Sequence, residues 1–317
     1  MVMKCKKLIS TENLSHEEWL MYRRGGIGGS DAGAILGFNP YATPFTVYCD
    51  KVGLSNADED NEAMRIGRDL EQYVADRFAQ QEGKRTRKMN YILQHPEHDF
   101  MLANVDRLVI GEKAGLECKT ASALNRTKFD IGDVPPQYYT QCMHYMAVTG
   151  YEKWYLAILV MGKAFHVFEI DRDEDFIEQL IAQEEYFWNT FVIPHAEPDC
   201  YGTEKENDML KNIYPDSDGG TITMFGEEKQ AQRYLELKSE IKELQKEADS
   251  IAQNMKKIIG NASDAEMEGY CAAWKPEHKT RFDTKAFKAD FPDLYKQYAK
   301  ESMERKFYIK EINQNGC

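Results

Sequence analysis

No uninterrupted apolar stretch of about 18 residues, the length that a membrane-spanning helix requires, occurs in this 317-residue sequence. The mean hydropathy of −0.62 agrees with that absence, so a membrane-spanning protein is excluded. A secretory signal is also missing, because Lys4, Lys6 and Lys7 are not followed by an apolar segment. These absences predict a cytoplasmic protein with no membrane partner.

Cysteine pairs at the spacing of metal or redox sites are lacking as well. The seven cysteines are odd in number and scattered along the chain, and none forms a Cys-x-x-Cys pair. This pattern argues against a disulfide framework, a structural zinc site and a cysteine-bound iron–sulfur cluster. We expect reduced thiols.

An excess of basic residues, typical of proteins that coat nucleic acid by bulk attraction, is lacking too. Forty Lys and Arg residues stand against 53 Asp and Glu residues, which gives a formal net charge of −13. Contact with DNA would therefore need a local basic surface, or metal ions that offset nearby carboxylates. Lys84, Arg85, Arg87 and Lys88 form one compact basic cluster, although a run of this kind more commonly marks a solvated loop.

Hydrophobic residues make up 42% of the chain, enough for one large domain or two unequal ones. Residues 199–222 are rich in Asp, Gly and polar side chains and predict a linker. The chain would then consist of a core of residues 1–198, this linker, and a C-terminal region of residues 223–317.

The C-terminal region begins with a predicted long helix. From Tyr234 to Ile258 apolar residues alternate spacings of three and four, the heptad pattern of a helix that packs on a partner. The pattern leaves open whether that partner is another chain, the helix's own domain or the tail. The tail predicts a small α+β unit with a strand at 270–275, a helix at 284–299 and a strand at 306–312.

Within the core, helical periodicity predicts an amphipathic helix over residues 62–81. Two extended runs, residues 100–110 and 116–120, are joined by a glycine-bounded turn and predict a hairpin. A helix after Pro136 and a second hairpin that turns at Gly162 follow. The core therefore combines helices with paired strands.

Asp106, Glu117 and Lys119 are the best candidates for chemistry. Side chains alternate faces along a strand, so Glu117 and Lys119 project on one side while Cys118 points to the other. With the turn centred near Glu112, Asp106 falls beside this pair on the adjacent strand. Two carboxylates and an ammonium group would then converge.

These are the parts of a metal-dependent phosphodiesterase. Carboxylates supply the hard oxygen ligands that Mg²⁺ prefers. The metal ion lowers the pKa of a bound water and stabilises charge on a phosphoryl oxygen, while a lysine orients or helps to deprotonate that water. Glu71, on the predicted helix 62–81, could lie over the same sheet as a further acid.

A surface ion pair on a sheet also fits the Glu-x-Lys spacing. The same spacing recurs elsewhere, for example at Glu227, Glu236 and Glu240. Most of those copies lie on predicted helices, where positions i and i+2 do not share a face. The copy at Glu117 combines a strand, a preceding hairpin and an upstream Asp. Glu71 likewise also fits a solvated helix position.

A glycine-rich segment at residues 25–29 precedes Ser30 and Asp31. Backbone amides of a glycine-rich turn that enters a helix can face an anion, and Arg23 can bond it in a bidentate way. The alternative is a tight turn that needs glycine for a positive φ. The residues alone leave both open.

Five segments occur together and in order: residues 27–31 (IGGSD), 64–71 (MRIGRDLE), 104–106 (NVD), 116–120 (LECKT) and 138–146 (YYTQCMHYM). As a set they resemble the YqaJ family of viral recombinases, similar to the bacteriophage lambda-type alkaline exonuclease within the PD-(D/E)XK nuclease superfamily. The resemblance covers roughly residues 15–195. Asn104-Val105-Asp106 departs from a literal Pro-Asp, which matters little because the proline is not a ligand.

The resemblance implies a restriction-endonuclease-like α+β fold with a central mixed β-sheet flanked by helices. It implies a processive 5′-to-3′ exonuclease that resects double-stranded DNA ends for phage-type recombination in a bacterial host cell. Mg²⁺, for which Mn²⁺ can substitute, is expected as the cofactor, with two ions. A single-strand annealing protein and a ring of identical chains are the expected protein partners.

Carried over by position, the resemblance assigns metal binding to Asp106, Glu117 and the backbone carbonyl of Cys118. Lys119 would position the attacking water, and Glu71 would be a metal-linked helical acid. The remaining assignments are a glutamine behind the active site, Gln141, and two residues that hold a 5′-phosphate, Arg23 and Ser30.

Two other functions stay open from the sequence. The same metal centre cuts internally on other scaffolds, which would make the protein a structure-specific or restriction-like endonuclease. A non-catalytic module that binds DNA ends or an annealing protein through the heptad helix and tail is the second alternative. The complete set of acids and lysine favours an enzyme.

Overall fold

The computed structural model describes residues 5–55, 62–122, 133–300 and 304–312. It divides into two compact units, an N-terminal unit Met1–Tyr214 and a C-terminal unit Pro215–Cys317. Within these described ranges, every helix is too short or too polar to span a bilayer.

The N-terminal unit contains eight strands and seven α-helices in its described part. In chain order these are β1 Lys6–Ser10, α1 His16–Arg24, α2 Gly29–Ile35, α3 Pro44–Lys51, α4 Glu62–Glu82, β2 Thr86–Lys88, β3 Tyr91–Gln94, β4 Leu102–Ala103, β5 Arg107–Val109, β6 Ala114–Ala121, α5 Pro136–Thr149, β7 Lys153–Val160, β8 Ala164–Asp171, α6 Glu174–Phe187 and α7 Glu204–Ile213. A π-helical turn, Trp188–Val192, continues α6.

Five of the strands form the central sheet, in the order β2-β5-β6-β7-β8. β6 and β7 are parallel, and the other neighbours are antiparallel, so the sheet is mixed. Since parallel neighbours need a crossover, α5 connects β6 to β7. A second, antiparallel sheet has the order β1-β3-β4. The predicted mixed sheet flanked by helices is confirmed.

Helices cover both faces of the central sheet. Val74 and Phe78 of α4 pack against Tyr155 of β7 on one face. The alternate β7 residues Trp154 and Leu156 belong to the larger core on the other face, which includes α5. Because both faces are buried, β7 is apolar along nearly its whole length. In β6, residues 114–117 are buried and residues 118–121 are partly exposed.

Close packing explains the glycines of segment 25–29. None of them has a positive φ, so the left-handed turn is ruled out for this segment. A Cβ at Gly26 would lie 2.5 Å from the carbonyl oxygen of Phe100, and one at Gly29 would lie 2.6 Å from the ring of Tyr145. Only glycine lets the segment approach β4 and α5 this closely.

The prediction that residues 199–222 are a linker is wrong, because helix α7 lies within this range. Thr203 and Glu206 form a capping box at its start, and Leu210 and Ile213 pack against the larger core. Glu206 is buried and accepts a hydrogen bond of 2.6 Å from the hydroxyl of Thr43. The polar composition of this range led to the linker prediction, but α7 belongs to the N-terminal unit.

The C-terminal unit is built on the predicted heptad helix. Its described elements are α8 Glu228–Ile259, the hairpin β9 Asp264–Met267 and β10 Tyr270–Ala273, and the short helices α9 Thr284–Asp290 and α10 Pro292–Tyr298. The single helix predicted over 284–299 is wrong, because Pro292 lacks the amide hydrogen that would continue α9. The strand predicted over 306–312 is also absent from the described residues 304–312.

Candidate active site

The β5–β6 hairpin brings the predicted acids together. Asp106 directly precedes β5, and Arg107 pairs with Leu116 across the hairpin. The Oδ2 atom of Asp106 accepts a hydrogen bond of 2.8 Å from the backbone N–H of Cys118. That bond holds Asp106 beside the strand that carries Glu117, as the spacing predicts.

Glu117 and Lys119 lie on the α5 face of β6. The Nζ atom of Lys119 lies 2.6 Å from Oε1 of Glu117, and the side-chain amide of Gln141 donates to the same oxygen at 2.7 Å. Gln141 also donates to the hydroxyl of Tyr145, at 2.8 Å, which fixes its orientation. Glu117 is only 3% exposed, and its Oε2 atom has no hydrogen-bond partner among the described residues.

Glu71 of α4 joins the site through a residue that the sequence did not single out. The guanidinium of Arg107 donates to the Glu71 carboxylate, to the side chain of Gln72 at 3.1 Å, and to the backbone carbonyl of Asp106 at 2.7 Å. Arg107 is 3% exposed. A sequence signal was available, because an arginine inside a short apolar strand needs a buried acidic or polar partner.

Negative charge accumulates at this site. Burial, together with the charges of Glu117 and Glu71, raises the pKa of Asp106. Burial likewise raises the pKa of Glu117, against the opposing effects of Lys119 and Gln141. Burial alone would lower the pKa of Lys119, but the charges of Glu117 and Asp106 outweigh it and hold that pKa above its usual range. Burial is thus the largest cause of both raised carboxyl pKa values, and at Asp106 the repulsion by Glu117 and Glu71 adds to it.

The donor set fits a hard divalent cation. As their side chains lie, no group of three or more His, Cys, Asp or Glu in the described ranges is arranged to hold a metal ion, and the Glu71 carboxylate is bonded to Arg107. Nevertheless Oε2 of Glu117 is buried without a hydrogen-bond partner in the described part of the chain, and Asp106 lies close enough for the charge of Glu117 to raise its pKa. Buried carboxylates with raised pKa values are the groups that a divalent cation stabilises.

Arg23 and Ser30 are also brought together, in a network that includes two further residues. The Nη2 atom of Arg23 lies 3.0 Å from the Ser30 hydroxyl and 3.2 Å from Oδ1 of Asp31. The buried Lys51 ammonium lies 2.7 Å from Oδ2 of Asp31, which also accepts a hydrogen bond of 2.9 Å from the Gly28 amide. Although burial opposes it, the charges of Lys51 and Arg23 hold the pKa of Asp31 well below its usual range.

Helix packing links this network to the acids. A Cβ at Gly29 would lie 3.0 Å from Cγ of Gln141, the side chain that bonds Glu117. Ser30 therefore directly follows Gly29, which packs against Gln141 of α5. Asp31 and Lys51 were missed as partners because they are far apart in sequence.

The basic cluster 84–88 lies at the edge of the central sheet. β2 is an edge strand, and Lys88 pairs in register with Arg107, the residue after Asp106. Arg85, Arg87 and Lys88 are exposed, whereas Lys84 is bonded to Glu112. The cluster therefore divides into one paired residue and three exposed ones, of which Lys88 lies beside Arg107 in the sheet.

A family model described as a YqaJ-like viral recombinase domain matches residues 18–152. The uncharacterised protein YqaJ of Bacillus subtilis (strain 168) is 39% identical over 316 residues, which cover 98% of this chain and 99% of that protein. This chain belongs to the YqaJ family. The matched range of the family model contains every candidate site residue described above, from Arg23 to Gln141.

Solved structures with similarity to this YqaJ-family chain include an alkaline exonuclease, LHK-Exo, from Laribacter hongkongensis. That structure is 20% identical, with a TM-score of 0.48, and the similarity covers 55% of this chain and 91% of the exonuclease. A complex of LHK-Exo with dAMP gives a TM-score of 0.49 at 20% identity and covers 62% and 96% of the two chains. A phage-related exonuclease from Haemophilus somnus 129PT is 15% identical, with a TM-score of 0.38, and covers 54% and 97%.

Proposed function

We propose that this YqaJ-family protein is a metal-dependent deoxyribonuclease that degrades linear double-stranded DNA from its ends in the 5′-to-3′ direction. The resected DNA would serve recombination by single-strand annealing in the cytoplasm of a bacterial host. The observation that carries the proposal is the convergence of Asp106, Glu117 and Lys119 on one hairpin, with Glu117 buried.

Asp106, Glu117 and the backbone carbonyl of Cys118 would hold Mg²⁺ or Mn²⁺, with two ions as the expected number and Glu71 as a further acid. When bound, such ions stabilise negative charge at a phosphoryl oxygen and make water easier to deprotonate. Gln141 keeps the Glu117 carboxylate in place, because its amide donates a hydrogen bond to Oε1. Oε2 has no hydrogen-bond partner among the residues that the structure describes, so it could ligate a metal ion.

Lys119 would orient the attacking water as a hydrogen-bond donor. The charges of Glu117 and Asp106 hold the pKa of Lys119 above its usual range and so favour the ammonium form, which donates hydrogen bonds. Its contact with Glu117 and the Tyr138 ring, 5.4 Å from Nζ, restricts where the ammonium group can point. We infer a positioning and charge-stabilising role at the scissile phosphate.

Arg23 and Ser30 would hold the 5′-phosphate of the strand being degraded. Arg23→Ala is expected to slow degradation of 5′-phosphorylated duplexes about tenfold relative to 5′-hydroxyl duplexes, since it removes a charge-assisted contact. The fold should persist because Lys51 still neutralises Asp31. Initial rates on the two kinds of end measure this ratio, and an equal loss on both would refute the assignment.

The exposed residues Arg85, Arg87 and Lys88 would contact the duplex backbone, and Lys84 would contribute less because Glu112 already neutralises it. Further proposed partners are a single-strand annealing protein and copies of this chain in a ring. Both follow from the family and not from a contact in this structure.

Digestion of linear and covalently closed circular DNA of the same sequence tests the proposed reaction. With Mg²⁺, we expect mononucleotides from the linear duplex and an intact circle, because the reaction starts at an end. EDTA should stop the release. Nicking or linearisation of the circle would show an endonuclease instead, and binding of linear DNA without any release would show a non-catalytic module.

A further inference from the structure

Residues 274–310, which we call the aromatic–basic segment, differ in composition from the rest of the chain. They contain ten Lys and Arg residues against six Asp and Glu residues, in a chain whose net charge is −13. They also contain eight aromatic residues in 37 positions, or more than one in five, whereas aromatic residues make up 12% of the whole chain. Positive charge and rings are thus concentrated in one stretch.

None of the rings of this segment is fully buried, although Phe282 and Phe291 contact the half-buried Phe287. Six of them are exposed, by the following fractions: Trp274 48%, Phe282 69%, Phe291 53%, Tyr298 74%, Phe307 77% and Tyr308 68%. No described helix of the C-terminal unit contains a buried residue. Aromatic residues at this density and exposure indicate a binding surface and not a folding requirement.

Basic side chains lie beside several of these rings. The Nζ atom of Lys288 lies 5.0 Å from the Tyr295 ring centroid, and that of Lys310 lies 4.8 Å from the Tyr308 centroid. In the described part of the unit, ion pairs engage Lys275 and Lys279 but not Lys288 or Lys310. Their charges stay available to a polyanion, while the rings beside them offer flat apolar surfaces.

We propose that the aromatic–basic segment binds single-stranded DNA. Lysine and arginine side chains would contact the phosphates, and the exposed rings would stack on unpaired bases. A duplex keeps its base faces within its own stack, so stacking selects the single strand. The proposed function supplies such a strand, since degrading one strand of a duplex leaves the other unpaired. In this respect the inference rests on that function.

The test uses the full-length chain carrying Lys119→Ala, in EDTA, so that bound DNA stays intact. Fluorescence anisotropy measures its affinity for a labelled oligo(dT) of about 30 nucleotides, longer than the roughly 4–16 that one single-strand binding fold covers. We expect the double substitution Phe282→Ala/Tyr298→Ala to weaken binding about tenfold or more. The matched control is Phe225→Ala, an 87% exposed ring outside the segment, which should leave the affinity unchanged.

A second variant tests the phosphate contacts. Lys288→Ala/Lys310→Ala should reduce the slope of log affinity against log salt concentration. The variant would neutralise fewer phosphates, so its binding would release fewer counterions. Unchanged oligo(dT) affinity in the ring variant would overturn the proposal. So would an equal loss of affinity for a duplex of the same length in the ring variant, or a change in sedimentation that shows the rings join copies of the chain.

Failure of the proposed function can be distinguished from failure of this inference. Nuclease activity is measured separately, on linear duplex with the chain that retains Lys119. Absence of nucleotide release with oligo(dT) binding intact would refute the exonuclease and leave the segment's role standing. Nucleotide release without oligo(dT) binding would refute the role of the segment and leave the proposed exonuclease function standing.

Discussion

Lys119→Ala is expected to lower Mg²⁺-dependent degradation of linear duplex DNA by about 10²–10³-fold, the range for loss of one preorganised hydrogen-bond donor in an active site. The fold should persist, because Gln141 still donates to Glu117 and the uncompensated carboxyl can take up a proton. Release of acid-soluble nucleotides measures the activity, and circular dichroism checks the fold.

Lys113→Ala is the matched control for Lys119→Ala. Lys113 lies in the turn of the same hairpin, where it pairs with Glu152 at 3.0 Å on the surface. Surface pairs of this kind contribute little to stability, so full activity is expected. If Lys119→Ala degraded DNA as fast as the parent chain, the proposed site would be wrong.

Asp106→Asn is expected to abolish nuclease activity and yet to stabilise the metal-free protein. The amide oxygen of asparagine can still accept the hydrogen bond from Cys118, while the charge that would bind Mg²⁺ is lost. Losing several kcal/mol of charge stabilisation in the transition state corresponds to a rate about 10³-fold lower. In EDTA, the variant should unfold at a higher temperature than the parent chain at neutral pH.

The expected decrease in stability with rising pH follows from the raised pKa of Asp106. A carboxyl whose pKa is higher in the folded than in the unfolded chain binds more protons when folded. The metal-free parent chain therefore loses stability as the pH rises from the ordinary carboxyl range through the raised pKa, and Asp106→Asn loses less. Calorimetry in EDTA between acidic and neutral pH measures this difference.

Divalent cation provides the control for the second prediction. If Mg²⁺ binds the folded parent chain as proposed, it should raise the Tm of that chain, whereas it should raise the Tm of Asp106→Asn much less. Equal shifts for the two proteins would show that Asp106 is not a ligand. A lower Tm of the variant in EDTA would show that burial of the Asp106 charge and its repulsion by Glu117 and Glu71 do not dominate the effect of this residue on stability.

Two of the sequence predictions succeeded because they depended on local geometry. The hairpin turn and the alternation of side chains place Asp106, Glu117 and Lys119 together, and the structure confirms that placement. The heptad spacing likewise predicts α8, which spans Glu228–Ile259. In both cases the pattern repeats over a few residues, so neighbours in sequence decide it.

Two other predictions were wrong because they relied on composition or periodicity and overlooked a local signal. Residues 199–222 are polar, yet the capping box of Thr203 and Glu206 begins helix α7 there, and a closer look at that spacing would have found it. In the tail, Pro292 divides one predicted helix in two, a local rule that the periodicity masked.

Patterns in the sequence were enough to predict the family, the hairpin, and which acids and lysine converge on it. The contact of Arg107 with Glu71 on α4 and the neutralisation of Asp31 by Lys51 depend on tertiary packing. Tertiary packing also decided that Gly29 serves contact with α5 and not a left-handed turn. The physical reason is distance along the chain. The residues in these contacts are separated by up to 116 positions, as in the contact of Gly29 with Tyr145. Such contacts form only when the sheet and its helices pack and bury the polar groups together with their partners.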